Sequence, residues 1–295
     1  MTVRLTLLFN PYAGAMQRPG GAGLRARLEA AAQWADVAVR VVGDDAAAAA
    51  REACDEGADI LAVAGGDGTA RAVAEAAAKS ACPVSVMPLP LGTTNLLPRR
   101  LYGVRTAEQI LAEAKDYTPV RLHAGALGER YFFILAAAGF PSRLAEARED
   151  IRLRGKGRRF LDALGRARSA LGSAFKPSLK LYADGSPVYF HRASAVLVAP
   201  GGLDAVLSMG PVEAGRTQLE CIAARPRHVF DAAGITVAAL MRDWREHARV
   251  RQRWVDELVV RGRDRLPVML DGEPAEIDSP AAFSFIPEAA SFLAP

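Results

Sequence analysis

The sequence predicts an α/β fold, with an N-terminal domain built on a parallel sheet and a second domain rich in β-sandwich strands. Over the first third of the 295 residues, apolar strand-like segments alternate with helical segments, which is the pattern of parallel β/α units. Beyond about residue 122, short β segments predominate and are joined by turn signals such as Ala183-Asp184-Gly185, as in antiparallel sheets. We therefore expect one domain over residues 1–121 and a second over residues 122–282.

The N-terminal elements follow from the hydrophobic pattern. We expect strands at residues 3–9, 37–42, 60–64 and 84–89 and helices at residues 23–34, 46–56, 69–79 and 107–115. Ligands of parallel α/β sheets bind at the carboxyl ends of the strands. The polar, glycine-containing loops that follow three of these strands should therefore meet at one edge of the sheet.

The C-terminal elements are mainly short strands. We expect β segments at residues 130–138, 178–183, 194–198, 218–223, 257–261 and 267–270, interrupted by helices at residues 144–171 and 228–247.

The composition is that of a globular protein, with 51% apolar and 24% charged residues. The three cysteines, Cys54, Cys82 and Cys221, have no metal-ligand spacing, which favours a reducing compartment over a disulfide framework. No stretch approaches the roughly 18 to 20 apolar residues of a membrane span. We therefore expect a cytoplasmic protein.

The strongest local signal is the pentapeptide Gly65-Gly66-Asp67-Gly68-Thr69, which stands between a predicted strand and a predicted helix. Glycines that reach positive φ can direct backbone N–H groups into one concavity, and the start of a helix, capped here by the Thr69 hydroxyl, attracts phosphate. Asp67 would repel phosphate unless a cation lay between them, so it suggests Mg²⁺ or a ribose hydroxyl. The alternative is a tight strand-to-helix turn with no ligand. We favour a nucleotide-binding domain.

Basic residues are concentrated in two segments of a chain whose net charge is +4. Residues 148–168 carry eight basic and three acidic side chains, and residues 242–253 carry five arginines and two acidic side chains. Such clusters suit an anionic membrane surface or nucleic acid. An ordinary solvated helix face is the alternative.

Four motifs together resemble the diacylglycerol kinase catalytic-domain family. They are Asn10-Pro11-x-x-Gly14, the pentapeptide at residues 65–69, Pro90-x-Gly92-Thr93-x-Asn95, and Asp271-Gly272-Glu273. The family includes bacterial diacylglycerol kinases, sphingosine kinases and ceramide kinases, and it is distantly related to NAD kinases. The resemblance implies a nucleotide-binding domain and a β-sandwich domain with ATP in the cleft between them. It also implies that residues 283–295 return to the first domain.

The resemblance also implies roles for single residues. ATP would be bound by three loops, whose residues are Asn10, Gly65, Gly66, Asp67, Gly68, Thr69, Gly92, Thr93, Thr94 and Asn95. Asp67 would hold Mg²⁺, and the general base would come from Asp271 or Glu273. Taken alone, Asp271-Gly272-Glu273 is the pattern of a hairpin turn.

The sequence departs from the family at several positions. Leu96 replaces a frequent aspartate after the third motif, and His123 falls near the usual aspartate of the crossover strand. Ala214-Gly215 stands where some bacterial members have the Asp-Gly of a structural magnesium site. We expect that site to be absent.

The predicted function is an ATP-dependent lipid kinase whose acceptor is a neutral membrane lipid, of diacylglycerol type first and a ceramide or sphingoid base second. An NAD kinase-like enzyme and a catalytically silent nucleotide- or lipid-binding protein are the alternatives. A lipid acceptor implies peripheral contact with an anionic membrane surface through basic residues. We expect no nucleic-acid partner and leave a homodimer open.

Overall fold

The computed structural model describes residues 2–15, 23–43, 45–80, 83–139, 142, 178–187, 192–207, 215–226 and 248–295. Two sheets organise this part of the chain. One has parallel strands at its N-terminal end, and the other is antiparallel. The predicted fold class is confirmed.

The helices of the described residues lie mainly in the N-terminal part. They are α1 (Leu24–Ala31), α2 (Ala46–Asp55), α3 (Asp67–Lys79), α4 (Leu96–Tyr102), α5 (Ala107–Glu113) and α6 (Leu203–Leu207), with a short 3-10 helix at Ala114–Asp116.

Strands occur throughout the described residues. They are β1 (Arg4–Phe9), β2 (Asp36–Val41), β3 (Ile60–Gly65), β4 (Ser85–Pro90), β5 (Thr118–Leu127), β6 (Arg130–Phe132), β7 (Ala136–Gly139), β8 (Lys180–Ala183), β9 (Ser186–Pro187), β10 (Ala195–Pro200), β11 (Leu219–Ala224), β12 (Val250–Val255), β13 (Glu257–Arg261), β14 (Arg265–Leu270), β15 (Glu273–Asp278) and β16 (Ala281–Ala294).

The first sheet begins with four parallel strands in the order β2-β1-β3-β4. Every residue of β3 is buried, because helices cover both faces of such a sheet and its central strands become continuously apolar. The C-terminal strand β16 extends this sheet. Its end pairs in parallel with β4 through Ser291 and Ser85, and its length pairs with β5 and β13 in antiparallel fashion.

The second sheet has the strand order β12-β11-β10-β7-β14-β15. One buried cluster contains side chains of both sheets, for example Phe283 and Leu258 from the first and Val198 and Val268 from the second. The β-rich part is therefore a sandwich with a shared apolar core.

Three expectations about the elements need correction or lie outside the described residues. The segment 130–138 is not one strand, because residues 133–135 separate β6 from β7. Helices α4 and α6 and strands β5, β9, β12, β15 and β16 were not predicted. The predicted helices at residues 144–171 and 228–247 lie outside the described residues, as do the basic segment 148–168 and most of the segment 242–253. The domain boundaries stay a prediction.

Candidate active site

One cleft contains the loops that the four motifs form. It has a volume of about 340 Å³ and lies at the carboxyl ends of β1, β3 and β4, facing the β14–β15 hairpin. Its lining residues are Asn10, Tyr12, Ala13, Gly14, Gly66, Asp67, Gly68, Thr69, Gly92, Thr93, Thr94, Asp271, Gly272, Glu273 and Pro274. Of the predicted site residues, all but Gly65 and Asn95 are part of this lining.

Helix α3 starts closer to the glycine turn than the sequence predicted. Gly66 is its N-cap residue and Asp67 its first residue, so the expectation that the helix begins at Thr69 and is capped by that hydroxyl is wrong. Thr69 Oγ1 instead accepts a hydrogen bond of 3.0 Å from Asn10 Nδ2. This bond joins the first two loops and leaves the N–H groups of the first helical turn beside the cleft.

The glycines are needed for close approach and not for positive φ. None of Gly65, Gly66 and Gly68 has a left-handed φ, which corrects the sequence-based argument. A Cβ on Gly65 would lie 2.8 Å from the Thr69 side chain, and a Cβ on Gly92 would lie 2.8 Å from the Cα of Gly66. The second and third loops therefore touch backbone to backbone.

The two asparagine side chains shape their own loops. Asn10 Oδ1 accepts the N–H of Tyr12 at 2.9 Å, which is an Asx turn. Asn95 has a left-handed backbone, with φ of 53°, and its Oδ1 accepts the N–H of Gly92 at 2.7 Å. Both residues position loop backbone, a role that fits a site built from main-chain N–H groups.

Asp67 has the properties of a cation ligand. Burial raises the pKa of its carboxyl, and the N–H groups of Leu96, Asn95 and Leu97 and the charge of Arg99 act in the opposite direction. Its Oδ1 is buried and has no hydrogen-bond partner among the described residues. These residues contain no cluster of three acidic, histidine or cysteine side chains that would hold a metal alone. Mg²⁺ at nucleotide sites is commonly bound by one or two carboxylates together with substrate phosphates, and the single unpaired carboxylate oxygen fits that mode.

Asp271 is fixed in the turn of the β14–β15 hairpin. It is 3% exposed and has φ of 48°, and Gly272 follows with φ of 92°, as in a type I′ turn. Its Oδ2 accepts the N–H of Phe133 at 2.8 Å, and its Oδ1 accepts those of Ile134 and Leu135 at 2.8 and 2.9 Å. Burial raises the pKa of this carboxyl, and the three N–H groups oppose the rise. Asp271 thus clamps the hairpin to the segment that interrupts β6 and β7.

Glu273 lies beside the glycine turn at residues 65–69. It is exposed, and its carboxylate covers the Cα of Gly68, because a Cβ there would be 1.7 Å from Oε1. The hairpin therefore places a carboxylate at the first turn of α3, inside the same cleft as Asp67.

Two arginines near Asp271 were not predicted from the sequence as part of the site. Arg100 is 5% exposed and donates from Nη1 to Phe133 O at 2.8 Å. Desolvation lowers the pKa of Arg100 to about 10, and the charge of Asp271 opposes this effect. The charge of Arg71 also lowers the pKa of Asp271. Their only signal in the sequence was their position within one or two helical turns of a motif.

The cleft combines N–H groups at a helix start, a carboxylate with an unpaired oxygen, and a second carboxylate opposite. This set can hold a polyphosphate and accept a proton from a hydroxyl beside it. The fold and the cleft define a nucleotide-dependent α/β enzyme.

Comparisons with known proteins agree with this class. Residues 4–125 match the profile of the diacylglycerol kinase catalytic domain. Two structures of putative diacylglycerol kinases from Bacillus anthracis have TM-scores of 0.72 and 0.71 at 19% and 17% identity, over 100% of this chain and 98% of theirs. An NAD kinase from Archaeoglobus fulgidus in complex with ATP has a TM-score of 0.54 at 14% identity, over 99% of this chain and 93% of that one. No curated protein sequence matches the chain.

Residues 4–125 match the diacylglycerol kinase catalytic-domain family, and this match supports a kinase enzyme. The predicted family resemblance is confirmed, and the structural likenesses support the same fold. Kinases of this kind use ATP as substrate. No helix among the described residues combines the length and the apolar character that crossing a bilayer requires.

Proposed function

We propose that the chain is an ATP-dependent lipid kinase that transfers the γ-phosphate to a hydroxyl of a diacylglycerol-type neutral lipid. The observation that carries this proposal is the position of the β14–β15 hairpin, which brings Asp271 and Glu273 to the glycine turn at residues 65–69. A phosphoryl-transfer enzyme needs the donor, charge neutralisation and a proton acceptor at one point.

The donor phosphates are held by the first turn of α3 and the loop at residues 92–95. Gly66 and Gly92 lie in close contact and carry no side chains, so phosphate oxygens can approach the N–H groups there directly. Asp67 would hold Mg²⁺ through its unpaired Oδ1, and the ion, when bound, neutralises charge on the phosphates.

Glu273 is the proton acceptor and Asp271 the group that positions it. All three bonds at the Asp271 carboxylate come from backbone N–H groups, and the residue is only 3% exposed, so both of its oxygens are occupied and shielded from an acceptor hydroxyl. Glu273 is exposed to the cleft, where a lipid hydroxyl can reach it. Only Gly272 separates the clamp, Asp271, from the base, so the hairpin turn fixes where Glu273 stands.

Diacylglycerol is the first acceptor because the family match is to a diacylglycerol kinase catalytic domain. Ceramide and sphingoid bases present the same kind of hydroxyl and remain the second choice. The likeness to NAD kinase has less support, since its TM-score of 0.54 is well below the 0.72 of a putative diacylglycerol kinase.

The test is transfer of label from γ-labelled ATP to diacylglycerol, ceramide, sphingosine and NAD, each offered separately. We expect label in the diacylglycerol product and its loss in Glu273→Gln. Label in NAD alone would replace the proposal with the NAD kinase alternative. ATP binding without transfer to any acceptor would support the catalytically silent alternative.

A further inference from the structure

A second cavity, of about 450 Å³, opens on the outer side of helices α2 and α3, away from the cleft. Four cationic side chains and a single carboxylate line it. They are Arg51, Arg71, Lys79, Arg130 and Glu75. The remaining lining consists of small residues, among them Ala47, Ala72 and Ala76. Because the alanines fill little space between the helices, the cavity is a hollow with a cationic rim.

The single carboxylate is already fully used. Glu75 accepts from Arg71 at 3.2 Å and from Lys79 at 2.8 Å, and it also accepts the N–H of Tyr131 at 3.1 Å. The other two cations are little compensated. Arg51 has Asp45 only at 4.0 Å, and Arg130 has no ion pair among the described residues. The charged side chains of the lining have a net charge of +3, or +2 when Asp45 beside Arg51 is included.

Arg71 retains an unused donor. Its Nη1 is shared between Glu75 and Tyr131 O, at 3.2 and 3.4 Å. Its Nε is buried and has no hydrogen-bond partner among the described residues. The side chain as a whole is 16% exposed, whereas a buried N–H without a partner is costly.

The cavity is connected to the active site. Lys79 holds the turn before β6, since it donates to Glu129 O at 2.5 Å and lies 5.0 Å from the centre of the Tyr131 ring, and Arg71 contacts β6 itself through Tyr131 O. Tyr131 is two residues from Phe133, the first of the three N–H donors to Asp271. The same Arg71 also lowers the pKa of Asp271. An anion bound to Arg71 would thus change the electrostatic environment of Asp271, in the hairpin that carries Glu273.

We propose that this basic cavity binds a phosphomonoester dianion. The number of cations and the volume suit a phosphate group on a small alcohol. Such a group occurs on soluble phosphomonoesters and on the head group of a phosphorylated lipid. The lipid source rests on the proposed function, because a diacylglycerol kinase makes that head group as its product.

Calorimetric titration of the whole chain tests the site, with ADP in excess so that the active-site cleft is filled. The soluble probe is glycerol 3-phosphate. The lipid probes are phosphatidylcholine vesicles containing either phosphatidic acid, a phosphomonoester, or phosphatidylglycerol, a phosphodiester. We expect saturable binding of a phosphomonoester probe and clearly weaker binding to phosphatidylglycerol vesicles.

The variants separate the cavity from general surface charge. Arg51→Gln/Arg130→Gln removes two rim cations, and Arg25→Gln/Arg265→Gln removes two exposed cations elsewhere. Because charge-assisted bonds to phosphate are strong, we expect the rim variant to bind at least ~10-fold more weakly and the control to stay within about twofold of the unsubstituted protein.

Binding of glycerol 3-phosphate alone would assign the site to soluble phosphomonoesters, and binding of phosphatidic acid vesicles alone would assign it to lipid. Equal losses in both double variants, equal binding of the two lipids, or no saturable binding of either phosphomonoester probe would each overturn the proposal. The measurement needs no turnover. A failed transfer assay with intact binding would therefore reject the kinase proposal and leave the cavity site standing.

Discussion

Replacing Gly68 by alanine tests the placement of Glu273 without touching that residue. A Cβ at this position would be 1.7 Å from Glu273 Oε1, whereas ordinary contacts start at 3.4 Å. The carboxylate must therefore retreat by about 1.7 Å, the difference between these two distances. A general base contributes roughly 10²- to 10⁴-fold to rate, and a displacement of about 1 Å can cost ~10²-fold. We expect kcat to fall by ~10²- to 10⁴-fold.

The same replacement should leave the fold intact. The atom that must move is the end of a flexible, exposed side chain and not backbone. Alanine is also the better helix former, by up to about 1 kcal/mol in a helix interior. We therefore expect the free energy of unfolding, measured with denaturant, to be unchanged or slightly higher. This combination distinguishes loss of the base from loss of structure.

Two companion variants complete the assay, which is label transfer from γ-labelled ATP to diacylglycerol. Gly43→Ala is the matched control, because no heavy atom lies within 4 Å of its added Cβ and Gly43 does not line the cleft. It should keep near-normal kcat. Gly68→Ala/Glu273→Gln should be no slower than Glu273→Gln alone, since both changes remove one function. Near-normal turnover in Gly68→Ala would refute the assignment of Glu273.

Other predictions concern the residues around that carboxylate. Asp67→Ala should reduce transfer at least ~10³-fold with little change in thermal unfolding, and an active variant would contradict its assignment to the donor side. Protonation of Asp67 should contribute to the acidic limb of the kcat/KM profile together with protonation of the base Glu273, and the contribution of Asp67 should appear above 3.8, the ordinary aspartate pKa, because burial raises its pKa. A raised pKa means that protonation of Asp67 favours the folded state. Activity should therefore fall on this limb while the protein stays folded as far as Asp67 is concerned. Circular dichroism at each pH can check this. Arg100→Met should lower the free energy of unfolding by about 1–3 kcal/mol, because the buried Phe133 O loses its donor, and an unchanged denaturation midpoint would contradict this.

Much of the parallel sheet was predictable because its strands are short apolar runs, two of which end at Gly65 and Pro90, and its helices have regular apolar spacing. The predicted strand at residues 60–64 and the helix at residues 46–56 differ from the observed elements by one residue each. Helix α4 was missed because it has only seven residues and contains Pro98. A proline is tolerated in the first turn of a helix, but in a short segment it is equally typical of a loop.

The wrong predictions in the β-rich part arise from tertiary contacts that the local sequence does not reveal. The apolar residues at 130–138 give no sign of an interruption, and the break at residues 133–135 is stabilised by Asp271, which is more than 130 residues away in sequence. Strand β16 contains Pro287 and a register shift between Ile286 and Ala290. Proline is accepted in a strand at such irregularities. The sequence pattern alone therefore breaks at Pro287, whereas the structure has one continuous strand.

The Asp271-Gly272-Glu273 motif explains why structural and functional interpretations of one turn need not compete. The sequence left a hairpin turn and a catalytic pair as alternatives, and the structure contains the hairpin. Left-handed backbone at Asp271 directs its carboxylate to three N–H groups of another strand connection. This clamp fixes the turn, and the fixed turn sets the direction of Glu273 over Gly68. A flexible hairpin could not hold a carboxylate within the few tenths of an ångström that proton transfer requires. The turn geometry is therefore a precondition of the proposed chemistry, and Asp271→Asn, which loses one acceptor for these N–H groups, should impair both stability and turnover.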